Sequence, residues 1–164
     1  MPLLESSTRD ILSLARELRL WVVLGSSHRL TGRRRPHDSV YVISPRGDIV
    51  DRYDKRFCSN EDLRHYSPGD HSSVFHLNGV RCGVLICYEY AFPELYREYK
   101  RHGVQLVFHS YHAGHASADR VDFLRRQIGP ELIRLNRGGS FPEIRMPTGV
   151  IARLPIGDWQ LPIG

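Results

Sequence analysis

With 164 residues the chain has material for one hydrophobic core, and its 41% hydrophobic and 25% charged residues are those of an ordinary globular protein. No apolar run approaches the ~20 residues of a membrane span, and Met1-Pro2-Leu3-Leu4-Glu5 lacks the basic start and long apolar stretch of a secretory leader, so a cytoplasmic protein with no membrane partner is expected. The net charge of +5 is clustered, at Arg33-Arg34-Arg35 and from Arg120 onward, but no helix carries a basic stripe with interleaved aromatics, which argues against a nucleic-acid partner.

In chain order, Ser6-Ser7-Thr8 can cap a helix whose apolar positions are Ile11, Leu12, Leu14, Ala15 and Leu18. Leu20 to Leu24 reads as a strand ending at Gly25-Ser26-Ser27. Ser39 to Ser44 and Ile49 to Tyr53 read as a hairpin around the turn Pro45-Arg46-Gly47-Asp48, which leaves Lys55 just past a strand end. Arg56 to Asp70 is polar and closes on Ser67-Pro68-Gly69-Asp70, a loop long enough to be functional. Val74 to Leu77, Asn78-Gly79 and Val80 to Cys87 form a second hairpin signal. Phe92 to His102 follows as a helix with Leu95, Tyr96 and Tyr99 on its apolar side and Gly103 as its stop, and Val104 to His109 as another strand. Strand, helix, strand in that order requires a parallel crossover, so the fold class is α/β (α+β), a mixed sheet covered by helices.

After Ser110 the patterning weakens. Ala118 to Gln127 reads as a helix and Pro130 to Leu135 as a short helical turn. Beyond Gly138 the prolines at 142, 147, 155 and 162, and the sequence Leu-Pro-Ile-Gly at both Leu154–Gly157 and Leu161–Gly164, predict an irregular or disordered tail over 138–164 behind a domain of residues 1–137.

The chemistry centres on Cys87. It lies where a buried strand gives way to a helix opened by Phe92-Pro93-Glu94. A nucleophile gains from that position, because backbone N–H groups at the turn can hold a thiolate and a developing oxyanion; a buried cysteine serving as a small apolar residue is the alternative. Cys58, Cys82 and Cys87 have no disulfide-framework spacing, and neither Cys-x-x-Cys nor His-Glu-x-x-His occurs, so free thiols, no metal and no cofactor are expected.

Two stretches together resemble the carbon–nitrogen hydrolase family, the nitrilase superfamily. One is Asp38-Ser39-Val40-Tyr41-Val42-Ile43-Ser44-Pro45-Arg46-Gly47, continuing through Tyr53-Asp54-Lys55 to Tyr66-Ser67-Pro68-Gly69-Asp70. The other is Gly83-Val84-Leu85-Ile86-Cys87-Tyr88-Glu89 with Phe92-Pro93-Glu94-Leu95 and Arg97. The resemblance implies part of an αββα sandwich and hydrolysis of non-peptide C–N bonds in a small-molecule amide, nitrile or carbamoyl compound by a Glu-Lys-Cys triad. Carried over, Cys87 is the nucleophile and Lys55 the cation for the tetrahedral intermediate. A second acid falls at Glu61 or Asp62, which the sequence leaves open. Tyr88 offers a backbone N–H to the oxyanion. Glu94 is a structural acid at a helix start, and His109, Tyr111 and His112 lie where relatives line the pocket.

The family's first catalytic Glu follows an opening strand pair, whereas this chain begins almost at the following helix, with Glu5 as the one acid ahead of it. The expectation is therefore a fragment of the sandwich, with a catalytically silent binding or oligomerisation module as the rival reading. A homo-oligomer is expected because relatives commonly dimerise.

Overall fold

Three separate hydrogen-bonded sheets, of three, four and two strands, organise the computed structural model, which describes residues 2–30, 34–111, 131–136, 143–145 and 151–153. They belong to two units, Met1–Ser73 and Val74–Gly164, a division that falls inside the stretch expected to form one domain. The expected mixed sheet is the four-stranded one, which contains both antiparallel and parallel pairs, and the first hairpin builds a sheet of its own.

The first unit opens with α1 (Pro2–Leu18), which starts ahead of the expected cap and carries Glu5, exposed, in its first turn. An acid suits that position because it meets the positive end of the helix dipole. Of the expected apolar face only Ala15 is buried, and Leu14 and Leu18 are exposed. The antiparallel strands β1 (Val22–His28), β2 (His37–Ile43) and β3 (Ile49–Asp54) follow in the order β1-β2-β3. β1 runs through Gly25-Ser26-Ser27, where it was expected to stop, because Ser26 and Ser27 pair with Ser39 and Asp38 of β2. A ladder with partners on offer overrides the weak strand propensity of that tripeptide. At the β2–β3 turn Gly47 has φ +76°, and a Cβ there would lie 2.4 Å from the Leu12 carbonyl oxygen. Arg16 Nε also donates to the Arg46 carbonyl at 2.9 Å, so α1 rests on this turn.

The two faces of this sheet differ in chemistry. Val40, Val42 and Tyr53 are buried on one. On the other, Arg52 donates to Asp54 through Nε and Nη2 and reaches His28 Nε2 at 2.6 Å through Nη1. An arginine only donates, so His28 Nε2 accepts and its hydrogen sits on Nδ1, which donates to Tyr41 Oη at 2.7 Å. Burial first, then the Arg52 charge, holds the His28 pKa below the usual imidazole value. Ser39 Oγ completes the network with a 2.6 Å bond to Asp54 Oδ1. Between β3 and the next strand, the expected loop contains one short helix, α2 (Asp62–His65).

In the second unit β4 (Val74–Leu77) and β5 (Val80–Ile86) form the expected hairpin, with Asn78 and Gly79 both at positive φ (+47° and +86°) as a two-residue type I′ loop requires. A 3₁₀ turn, Cys87–Ala91, and α3 (Pro93–Arg101) lead to β6 (Leu106–Tyr111), parallel to β5. β7 (Glu131–Asn136) then adds parallel to β6, giving the order β4-β5-β6-β7. This corrects the helical turn expected over Pro130 to Leu135: six residues are too few to sustain a helix alone, whereas the edge of β6 supplies a full ladder. Within the stretch expected to be irregular, β8 (Glu143–Arg145) and β9 (Ile151–Arg153) pair antiparallel. The helix expected over Ala118 to Gln127 lies outside the described residues. Among those residues no helix is long and apolar enough to cross a membrane.

α3 is fastened to β5 by one side chain. The Tyr99 hydroxyl donates to the Val84 carbonyl at 2.6 Å and accepts from the Val84 N–H at 3.2 Å, satisfying backbone groups of β5 just past its ladder with β4. Gly83 makes room for the ring, since a Cβ there would lie 2.7 Å from Tyr99 Cε1. Two substitutions test this seat by denaturant unfolding. Gly83→Ala overpacks it and is expected to cost about 1–3 kcal/mol. Tyr99→Phe leaves two buried backbone groups without their partner and is expected to cost a similar ~1–3 kcal/mol.

Candidate active site

In the first unit, the candidate site residue is a lysine that has been taken out of water. Lys55 is 1% exposed and follows β3 directly. Its N–H donates to the Asp38 carbonyl at 2.9 Å and its carbonyl accepts from Gly69 N–H at 2.8 Å, so β2 and the Pro68-Gly69 turn grip its backbone. Gly69 is required there, because a Cβ would fall 2.3 Å from the Asp54 carbonyl oxygen. Strand alternation places Asp38, Val40, Tyr53 and Lys55 on one face.

The buried ammonium is compensated by carboxylates. Lys55 Nζ lies 2.7 Å from Asp62 Oδ2 and 4.0 Å from Asp38 Oδ2. Asp62 Oδ2 also accepts from the Ser59 N–H at 2.7 Å and the Ser59 hydroxyl at 2.8 Å. Partial burial pushes the Asp62 pKa up, but the bonds from Lys55 and Ser59 outweigh it and hold the carboxyl below its ordinary range. Asp38 moves the other way: burial raises its pKa, the Lys55 charge offsets only part of that, and the neighbouring Asp62 charge adds to it. The two adjacent acids are placed differently: Asp62 is bonded to Lys55, whereas Glu61 is turned to solvent with Arg64 and His65 as its partners.

In the second unit, Cys87 opens the 3₁₀ turn directly after β5, half-buried and with φ +48°. A non-glycine residue in that left-handed region costs of order 1–3 kcal/mol unless its surroundings impose it. Two anchors do so here. Glu89, fully buried, accepts the Ile86 N–H on Oε2 at 2.7 Å, and His109, also fully buried on β6, donates from Nε2 to the Cys87 carbonyl at 3.0 Å. The residue that carries the thiol is thus gripped on both sides. Tyr88 is next on the 3₁₀ turn with its ring exposed, edge-on to Phe92 at 5.3 Å. Tyr111 ends β6, and His112 lies outside the described residues. Glu94 occupies the first turn of α3.

The other cysteines differ from Cys87. Cys82 is buried in β5, and burial pushes its thiol up to about 11, while Cys58 is half-buried with Sγ 3.7 Å from the Lys55 carbonyl. Sequence reasoning passed over Asp38 and Glu89. Each left a signal: pairing of Ser39 with Asp54 sets Asp38 opposite Lys55, and Glu89 stands three residues after Ile86, the spacing at which an acid returns to the N-terminal N–H of a turn.

The model of the carbon-nitrogen hydrolase family matches residues 2–132. Similar curated proteins include an apolipoprotein N-acyltransferase of Geobacter metallireducens, 32% identical over 117 residues that make up 59% of this chain and 22% of the relative. An (R)-stereoselective amidase of a Pseudomonas species is 31% identical over 106 residues, 65% of this chain and 38% of the relative. A mutant of an amidase of Nesterenkonia AN1, from the nitrilase superfamily, shares the fold with a TM-score of 0.77 at 19% identity, over 92% of this chain and 63% of that one. Another structure of that amidase shows covalent addition of the acetamide moiety of fluoroacetamide at its active-site cysteine. The chain spans less than two thirds of the length of each of these proteins.

The unequal placement of Glu61 and Asp62 gives a direct comparison. Asp62→Ala removes the close partner of a buried cation and is expected to destabilise the fold by about 3–5 kcal/mol, whereas Glu61→Gln, at the surface, is expected to stay within about 0.5 kcal/mol of the parent. Urea unfolding of the two variants at neutral pH measures both.

Proposed function

From its membership of the carbon-nitrogen hydrolase family, we propose that the chain cleaves the C–N bond of a small non-peptide amide or nitrile through a thioester on Cys87. The observation that carries this reading is the backbone of Cys87, held in a left-handed conformation at the end of β5 by Glu89 and His109. Strain kept in place by buried anchors marks a residue whose orientation matters, and a cysteine serving only as core filler has no use for it. Similarity to an (R)-stereoselective amidase favours an amide as the substrate.

In this reaction the Cys87 sulfur attacks the carbonyl carbon, and the electron pair moves onto oxygen. The backbone N–H of Tyr88 and the Lys55 ammonium hold that charge. Collapse breaks the C–N bond, the departing nitrogen takes a proton, and water then cleaves the thioester as a carboxylate accepts its proton. Asp62 is the second acid in this scheme because it is the one bonded to Lys55. Cys82 is a poor competitor, being buried and protonated at neutral pH.

Ammonia release from a panel of small primary amides, together with intact-mass analysis of the acid-quenched protein, tests the proposal. The expected result is turnover with a single acyl adduct on Cys87, both abolished in Cys87→Ala, and turnover cut about 10²–10³-fold in Lys55→Ala. An adduct on Cys58, or ammonia release that survives Cys87→Ala, overturns it. A parent chain that forms no adduct and releases no ammonia would favour the silent binding module instead.

A further inference from the structure

Two carboxylates share the Lys55 ammonium, and their surroundings are unequal. Asp62 Oδ2 receives three donors, Lys55 Nζ at 2.7 Å, Ser59 N–H at 2.7 Å and Ser59 Oγ at 2.8 Å. Protonating that group forfeits charge-assisted bonds, which are about twice as strong as neutral ones. The Asp38 carboxyl accepts no hydrogen bond from the described residues. Its nearest cation is the same Nζ at 4.0 Å, and its side chain keeps 28% of its surface open. Its backbone is nevertheless fixed, since its carbonyl accepts the Lys55 N–H and it stands at the head of a paired strand. The charged groups acting on it are Lys55 and Asp62.

We propose that Asp38 is the proton-exchanging acid of the lysine site, acting through Lys55, and that Asp62 is the anchor that keeps the ammonium in place. Proton uptake by Asp38 takes the group of Asp38, Asp62 and Lys55 from a net charge of −1 to neutral without breaking the 2.7 Å bond. The opposite displacements of the two acids agree with this division: burial raises Asp38, and hydrogen bonds hold Asp62 down. In the reaction, which rests on the reading that Lys55 serves Cys87, Asp38 sets the charge around the ammonium: ionised it adds a second negative charge 4.0 Å from Nζ, and protonated it leaves the cation to Asp62 alone. Asp38 is in this sense a positioning residue for charge.

The test follows the carboxyl ¹³C resonances of the full chain, labelled at aspartate, as a function of pH in the parent and in Asp38→Asn. One resonance titrating above the ordinary aspartate range, and missing in Asp38→Asn, is the expected result. A raised resonance that survives Asp38→Asn, or an Asp38 resonance titrating in or below the ordinary range, overturns the proposal. Kinetics adds a second readout: Asp38→Asn is expected to lower kcat about 10²-fold with KM little changed and to remove the acid limb of the pH profile, with partial rescue by Asp38→Glu. Retention of that limb in Asp38→Asn also overturns it. If the parent releases no ammonia, the proposed function fails while the titration still decides the role of Asp38.

Discussion

Burial of the Lys55 ammonium is the constraint on which the first unit depends. A cation with 1% of its surface exposed is stable only where carboxylates and a fixed backbone meet it. Each surrounding feature answers that demand. β2 supplies the carbonyl that takes the Lys55 N–H, the turn at Gly69 takes no side chain because the Asp54 carbonyl occupies the space, and Ser59 orients Asp62 from the opposite side. The same dense contacts make the lysine a fixed charge, and a fixed charge can stabilise a transition state without reorganising.

The second unit poses a different problem, holding one strained residue at the end of a buried strand. Cys87 leaves β5 with φ +48°, and the chain restrains it on both sides, at the Ile86 N–H by Glu89 and at its own carbonyl by His109. Farther back, the Tyr99 hydroxyl fills the vacant ladder position at Val84, so the strand is secured before it reaches the cysteine. These contacts use buried polar groups, which are costly if left unmatched and rigid when matched. His109 was read in the sequence as a pocket residue, and its Nε2 serves the cysteine backbone.

Polar networks on the first sheet show how strand alternation separates tasks. Asp54 turns to one face, where it joins Arg52, Ser39, His28 and Tyr41 in a hydrogen-bond network, and Lys55, the next residue, turns to the other. Neighbouring charges of opposite sign thereby avoid neutralising each other. Lys55 is left for Asp62 and Asp38.

The sequence by itself determined the local elements and the chemistry they carry. Asn78-Gly79 demanded a tight hairpin, Gly103 stopped α3, and the run ending at Cys87 put a thiol at a strand end, because φ preference and hydrophobic period are properties of short stretches. It also brought Lys55 to the end of β3 and narrowed the second acid to Glu61 or Asp62. Only the tertiary structure shows which of the two is bonded to Lys55, since which of two adjacent acids turns inward depends on where Ser59 and Lys55 stand in the fold. It likewise decided that Glu131 to Asn136 pairs as a strand, that the two hairpins build separate sheets and that Asp38 stands against Lys55. These depend on partners distant in the chain, and a ladder edge or a buried charge selects its partner only once the chain has folded around it.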